Sequence, residues 1–416
     1  MKKIKQFIIF TICITFFYVP IIKAEEYYSY LNITDIEELS DIQANHILLL
    51  NLNDQKIIYE KNPQEKIKIA SLTKIMTALV AILNAKDLEE QLTITEEAFL
   101  ESEGYAEAGF KIGDVVTIRD LLYGTLLPSG VEAAQSLAIH TLGSIETFVM
   151  KMNELATLLD MQNTHFDNPV GRDSEENYST LYDLEKLLLF ALQDETFYQI
   201  YTTRNYTATN GLELKSTLVN PSEKYHLNIE KIKGSKSGYT KQAGLCLSSI
   251  AENEGVEYLL LLANSPYAEG FPNHIVDTIN IYNYFFTNYS YIPILSKNQE
   301  IASISILDSP EKNYIIEQEE EVFLYMKKDM VEKLEYNYDG IETLNSKIKL
   351  MDKLGEVSIK YEDNILYTYP VYLNEDITYR HTKEILLLFG VLSFFFLLVF
   401  MLKWKKEKSS EPCKNI

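Results

Sequence analysis

The hydrophobic and polar positions along this chain fall into four regimes. Phe7 to Ile22 is almost uniformly apolar. From Ile47 the pattern becomes mixed. Ile47 to Leu52 and Lys56 to Tyr59, joined through Asn53-Asp54-Gln55, predict a strand, a turn and a strand. Helical spacing runs over Ser71 to Leu83, Leu121 to Leu126, Glu132 to Ile139, Ser144 to Met161 and Tyr182 to Leu192. Leu245 to Glu252 and Val256 to Ala263, joined through Asn253-Glu254-Gly255, predict a hairpin of core strands. Strands first, helices in the middle and strands last predict an α+β domain, its antiparallel sheet closed by both ends of the segment.

After Tyr289-Ser290-Tyr291-Ile292-Pro293 the runs shorten. Glu300 to Leu307, Asn313 to Ile316, Glu321 to Tyr325 and Lys347 to Leu350 alternate, and Glu356 to Tyr361 with Ile365 to Tyr372 predict a further hairpin. This third regime reads as a small all-β domain with no reactive cluster, a spacer. The fourth is Ile385 to Leu402, an uncharged apolar run just long enough to span a bilayer.

The flanks of the two apolar ends differ. The first follows Met1-Lys2-Lys3-Ile4-Lys5 and closes on Lys23-Ala24, the layout of a secretory signal peptide cut after Ala24. The last is followed by Lys403-Trp404-Lys405-Lys406, and clustered lysines stay on the cytoplasmic side. The expected organisation is a signal peptide over 1–24, a main domain over 25–290, a β-rich domain over 291–378, a transmembrane helix over 385–402 and a cytoplasmic tail over 403–416. That puts the chain in the cell membrane as a single-pass protein with its body outside.

Charge agrees with that address. The 416 residues carry a net charge of −22, and the body without its lysine-rich ends carries about −29. Such a surface excludes broad nucleic-acid binding, which needs clustered Lys and Arg. Of three cysteines only Cys246 lies in the body, so no disulfide is expected there. The six histidines are scattered without ligand spacing, so neither a metal nor a cofactor is implied.

Three clusters carry chemistry. Ala70-Ser71-Leu72-Thr73-Lys74 opens a helix, and residues three apart share a helix face, so Ser71 and Lys74 present a hydroxyl and an amine side by side. A lysine among apolar neighbours releases its proton more readily, which suits a general base. Pro128-Ser129-Gly130 places a second hydroxyl in a break between two helical segments. Lys236-Ser237-Gly238-Tyr239-Thr240 leads into the Leu245 hairpin, where a lysine and a hydroxyl can grip a carboxylate. Gly238 there lets a substrate backbone approach the strand.

Together these motifs resemble the penicillin-recognising serine D,D-peptidases, in particular the low-molecular-mass D-alanyl-D-alanine carboxypeptidases of peptidase family S11. The likeness extends through Thr164-His165-Phe166-Asp167-Asn168-Pro169-Val170-Gly171, Tyr178-Ser179-Thr180 with Asp183, and Gly244. It implies a serine β-lactamase-like fold, peptidoglycan stem peptides as substrates and acylation by β-lactams. It implies Ser71 as nucleophile, Lys74 as base and Ser129 as proton relay. Lys236, Ser237, Gly238, Tyr239 and Thr240 would form the substrate-binding strand, and the Ser71 and Tyr239 amides an oxyanion hole. His165 falls in a segment that looks structural.

Three departures stand out. The second motif of the family is usually Ser-x-Asn, and Val131 takes the place of the amide. Ser237 replaces the commoner threonine. An arginine that the family often carries before the last helix is missing from Gly270-Phe271-Pro272-Asn273-His274, leaving His274 as the side chain nearest that place. The leading expectation is a D,D-carboxypeptidase; the alternative is a catalytically weak or inactive penicillin-binding or wall-binding protein. A β-lactamase would need a dedicated deacylating carboxylate, and no Glu-x-x-x-Asn segment stands in the expected context.

Overall fold

The computed structural model describes residues 27–28, 36–268, 270–379 and 382–408. The expected signal peptide and the last eight residues lie outside them. The chain divides into two compact units, one over Tyr30–Tyr289 and one from Ser290 onward that also takes in residues 27–28.

The first unit is built on an antiparallel sheet of β1 (His46–Asn51), β2 (Lys56–Lys61), β3 (Ile232–Thr240), β4 (Gly244–Asn253) and β5 (Val256–Ser265). Their spatial order is β2-β1-β5-β4-β3. β1 pairs with β5, Leu49 opposite Leu260, so the two ends of the segment close the sheet as its pattern predicts. β3 is left as an edge strand with its outer side unpaired, the position from which a strand can accept an extended peptide.

Among the described residues, eight α-helices pack around this sheet: α1 (Thr73–Asn84), α2 (Ile118–Leu126), α3 (Val131–Leu142), α4 (Ile145–Leu158), α5 (Leu181–Ala191), α6 (Glu195–Thr202), α7 (Val219–Lys224) and α8 (Asn273–Asn288). Their starts follow from local chemistry. Thr117 and Asp120 form a capping box at α2, and Ser144, Thr180 and Asp194 cap α4, α5 and α6 through their side-chain oxygens. α3 stops at Gly143, whose φ of 87° suits the left-handed exit of a helix.

Neighbouring strand residues point to opposite faces, and β4 uses both. The Ser248 hydroxyl meets Tyr201 of α6 at 2.8 Å, while that of Ser249 meets Tyr282 of α8 at 3.0 Å. The sheet is therefore sandwiched between α8 and the cluster holding α1 to α6. α1 sits deepest, with every residue from Thr73 to Ala81 buried, which is why its sequence is apolar nearly all round.

The second unit contains a four-stranded sheet in the order 27–28, Asn364–Tyr372, Lys353–Tyr361, Leu334–Gly340. A three-stranded sheet combines Asn313–Glu317, Glu300–Ile306 and Thr343–Leu344. Ile304, Ile306, Leu344, Leu354 and Val357 are among its core residues. The expected strand at Lys347 to Leu350 is absent. Asn345 and Asp352 turn their side-chain oxygens onto the amides of Lys347 and Lys349, which diverts this stretch from a ladder. The helix Thr382–Lys408 contains a 21-residue apolar span, Ile385–Lys405, with none of it buried. At 1.5 Å per residue that span is about 31 Å long, enough to cross a bilayer core.

Candidate active site

A single 3₁₀ turn, Ala70–Leu72, delivers Ser71 at the mouth of α1. Ala70 holds φ at 45°, a left-handed conformation that an alanine adopts only when its surroundings impose it. Two glycines make room for it. A Cβ on Gly171 would collide with the Ala70 carbonyl, and a Cβ on Gly238 would stand 2.7 Å from the Ser71 nitrogen. Gly238 thus has a structural reason different from the one read in the sequence: it admits the backbone of Ser71 itself to the strand.

Lys74 lies one turn further along α1 and is 1% exposed. Its Nζ donates to the Val170 carbonyl at 2.8 Å and lies 3.2 Å from Ser71 Oγ. The loop presenting that carbonyl is fixed by Asn168, whose Oδ1 accepts the amides of Val170, Gly171 and Arg172. Burial drives the Lys74 amine down to about 7, and the carboxyl of Glu132 opposes the shift. A lysine in that range is available as a neutral base near neutral pH, with a serine hydroxyl already in reach.

Ser129 occupies the turn before α3 at φ 70°, is buried, and its hydroxyl has no partner. A buried unpaired hydroxyl carries an unmet desolvation cost, and a substrate group arriving there would satisfy it. Lys236 on β3 is fully buried and donates from Nζ to the Ser237 carbonyl at 2.7 Å. Burial and then the charge of Lys74 hold it well below the ordinary lysine range. The Ser237 hydroxyl donates to Thr217 Oγ1 at 2.6 Å. Tyr239 is 44% exposed and packs on Tyr267 with ring centroids 4.6 Å apart.

Thr240 stands differently. Its hydroxyl donates to Asp173 at 2.6 Å and accepts the Ala243 amide at 3.0 Å, so this side chain is occupied in joining β3 to the Asn168–Asp173 loop. His165 is structural, its ring nitrogen 2.6 Å from the Glu176 carbonyl and its backbone paired with Tyr178. His274 does not replace the missing arginine: burial lowers it to about 4, leaving it neutral at pH 7. Val131 packs against Ala134, Val170 and Tyr105, and its backbone amide donates to Ala106. Thr217, Asp173 and Glu132 support the site and were not singled out by motif reading; they come from three separate stretches, and only folding brings them together.

Fold and site together are those of a serine-type acyl-transfer enzyme. A family model described as D-alanyl-D-alanine carboxypeptidase matches residues 33–265, and one described as penicillin-binding protein 5, C-terminal domain, matches residues 289–379. The chain belongs to the peptidase S11 family of D-alanyl-D-alanine carboxypeptidases. It is 26% identical to the D-alanyl-D-alanine carboxypeptidase DacF of Bacillus subtilis, over 80% of this chain and 86% of that protein. It is 32% identical to a D-alanyl-D-alanine carboxypeptidase of Streptomyces sp. strain K15, over 55% of this chain and 82% of that one. Among solved structures, the carboxypeptidase DacD of Francisella tularensis shares the fold with a TM-score of 0.63 at 20% identity, covering 85% of this chain and 98% of that one.

Proposed function

We infer that this protein is a serine-type D-Ala-D-Ala carboxypeptidase that trims peptidoglycan stem peptides and is acylated by β-lactams. Family membership supports the activity. The observation that carries the assignment of roles is the buried Lys74 amine, lowered to about 7 and 3.2 Å from Ser71 Oγ.

In this reading Ser71 Oγ attacks the carbonyl of the penultimate D-alanine while Lys74 takes the hydroxyl proton. The amides of Ser71 and Tyr239 receive the charge that develops on the carbonyl oxygen, worth several kcal/mol of barrier. The peptide C–N bond then breaks, and Ser129 passes a proton to the departing D-alanine amine. Lys236 and Ser237 hold the terminal carboxylate, with Gly238 and Tyr239 continuing the strand along which the peptide lies. Water releases the shortened stem peptide from the Ser71 ester. A β-lactam enters the same path, but its opened ring cannot leave, so the ester persists.

The proposed organisation is a signal peptide over 1–24, a catalytic domain over 25–290, a β-rich domain over 291–378 and a single membrane helix over 385–402. Among the described residues, Ile385–Lys405 is the one helix long and apolar enough for that role. The lysines after it support a cytoplasmic tail over 403–416, with the catalytic body outside.

A second reading, penicillin binding without turnover, is favoured by Val131 alone. Incubation of the protein with a peptide ending in D-Ala-D-Ala decides between the two. Release of free D-alanine, abolished in Ser71→Ala, is the expected result; a β-lactam adduct with no D-alanine release would establish the second reading.

A further inference from the structure

Lys74 and Lys236 are both buried in this site, and the charge of Lys74 disfavours that of Lys236. The side chain at position 131, where an amide would offer polar contact, is instead the apolar Val131, packed on Ala134, Val170 and Tyr105.

The next residue is a fully buried carboxylate. Glu132 Oε1 accepts the backbone amides of Ala108, Gly109 and Phe110 at 2.7, 2.8 and 3.2 Å, while Oε2 has no partner. Glu132 stands in the first turn of α3, where the helix dipole favours a negative charge. Burial pushes its pKa upward and the amides pull against that shift. α3 packs on α1, which carries Lys74, and Glu132 lies within electrostatic range of the lysine.

Of the other ionisable groups described here, Lys236 approaches from β3, its amine held below the ordinary lysine range by burial and by Lys74. Arg172, on the loop after Val170, is paired with Glu101, and Asp173 on the same loop accepts from Thr240.

We propose that Glu132 is a positioning residue with two functions. One carboxylate oxygen holds the Ala108–Phe110 wall against Gly130, next to Ser129 in the chain, and the buried negative charge favours the protonated form of Lys74 and so sets the pH at which Lys74 becomes a base. The inference rests on the acyl-enzyme reading, with Lys74 as the base of Ser71.

The test is the pH dependence of acylation by a fluorescent penicillin, measured on the full-length chain in detergent for the wild type, Glu132→Gln and Glu132→Asp. Glutamine keeps an oxygen for the three amides and removes the charge; aspartate keeps the charge and shortens the reach. The acid limb of the wild type should move down by about one pH unit in Glu132→Gln, because losing the anion makes Lys74 easier to deprotonate. In Glu132→Asp it should stay in place even where thermal stability falls. An unmoved limb in Glu132→Gln, or a limb in Glu132→Asp that moves as far as in the glutamine variant, would overturn the proposal. Should the glutamine variant not fold, the aspartate comparison decides alone: an unmoved limb supports the charge role, and a downward shift of about a unit rejects it. Failure of the wild type itself to acylate would reject the acyl-enzyme reading instead.

Discussion

Gly238 and Ser71 touch backbone to backbone: a single methyl on the glycine would come within 2.7 Å of the Ser71 nitrogen. Ser71 is thus seated by the strand that also carries the third motif, and helix and sheet fix one another at this serine.

Gly238→Ala should therefore displace the Ser71 amide rather than obstruct substrate alone. A shift of about 1 Å in a catalytic group costs on the order of a hundredfold. The second-order rate of acylation by a penicillin should fall by at least that much, and a crystal structure of the variant should show the Ala70–Leu72 turn moved. An acylation rate within threefold of wild type would show that the contact does not position the nucleophile.

Burial has brought Lys74 to about 7, and the proposed base role needs its neutral form. Acylation should rise with pH through about 7 and then level. Stability should follow with the same sign. The unfolded lysine keeps its proton up to its ordinary value of 10.5 while the folded one has lost it by about 7, so the unfolded state binds more protons between those values and folding strengthens as pH rises. From pH 7 to 9 this contributes about 2 kcal/mol. Unfolding midpoints at the two pH values should show the gain in the wild type and not in Lys74→Met.

Val131→Asn should trade stability for activity. Its amide would enter the contact now filled by Ala134, Val170 and Tyr105, at a cost of about 1–2 kcal/mol of stability. It would also restore a hydrogen bond to the lysine or the substrate, raising D-alanine release about tenfold. Paired Tm and kcat/KM measurements check both halves; an unchanged rate would mean that Val131 is neutral to turnover.

Thr217→Val removes the 2.6 Å partner that orients the Ser237 hydroxyl. Because Ser237 is assigned to the substrate carboxylate, KM should rise roughly fivefold with kcat little changed. A fall confined to kcat would move Ser237 from binding to chemistry.

Much of this was legible in the sequence, for identifiable reasons. Ser71 and Lys74 share a helix face by local spacing, and β4 and β5 announce themselves as a hairpin through Asn253-Glu254-Gly255. The unread parts are non-local or polar. Thr217 reaches Ser237 across twenty positions, and Glu132 reaches Ala108 across twenty-four, neither with a motif to mark it. The strand Leu334–Gly340 reads Leu-Glu-Tyr-Asn-Tyr-Asp-Gly, mostly exposed, and is held by its ladder to Lys353–Tyr361 rather than by apolar alternation. Lys347 to Leu350 has the opposite character, an alternating pattern spent on turns. Val131 was visible as a departure, but its surroundings needed the fold.

The central claim is that Ser71 forms the acyl-enzyme, and intact-mass analysis after incubation with a penicillin tests it most directly. The full-length chain should gain the mass of one whole penicillin, since the opened ring stays attached, and Ser71→Ala should gain none. An adduct that survives in Ser71→Ala, or its absence from a wild-type protein shown to be folded, would contradict it.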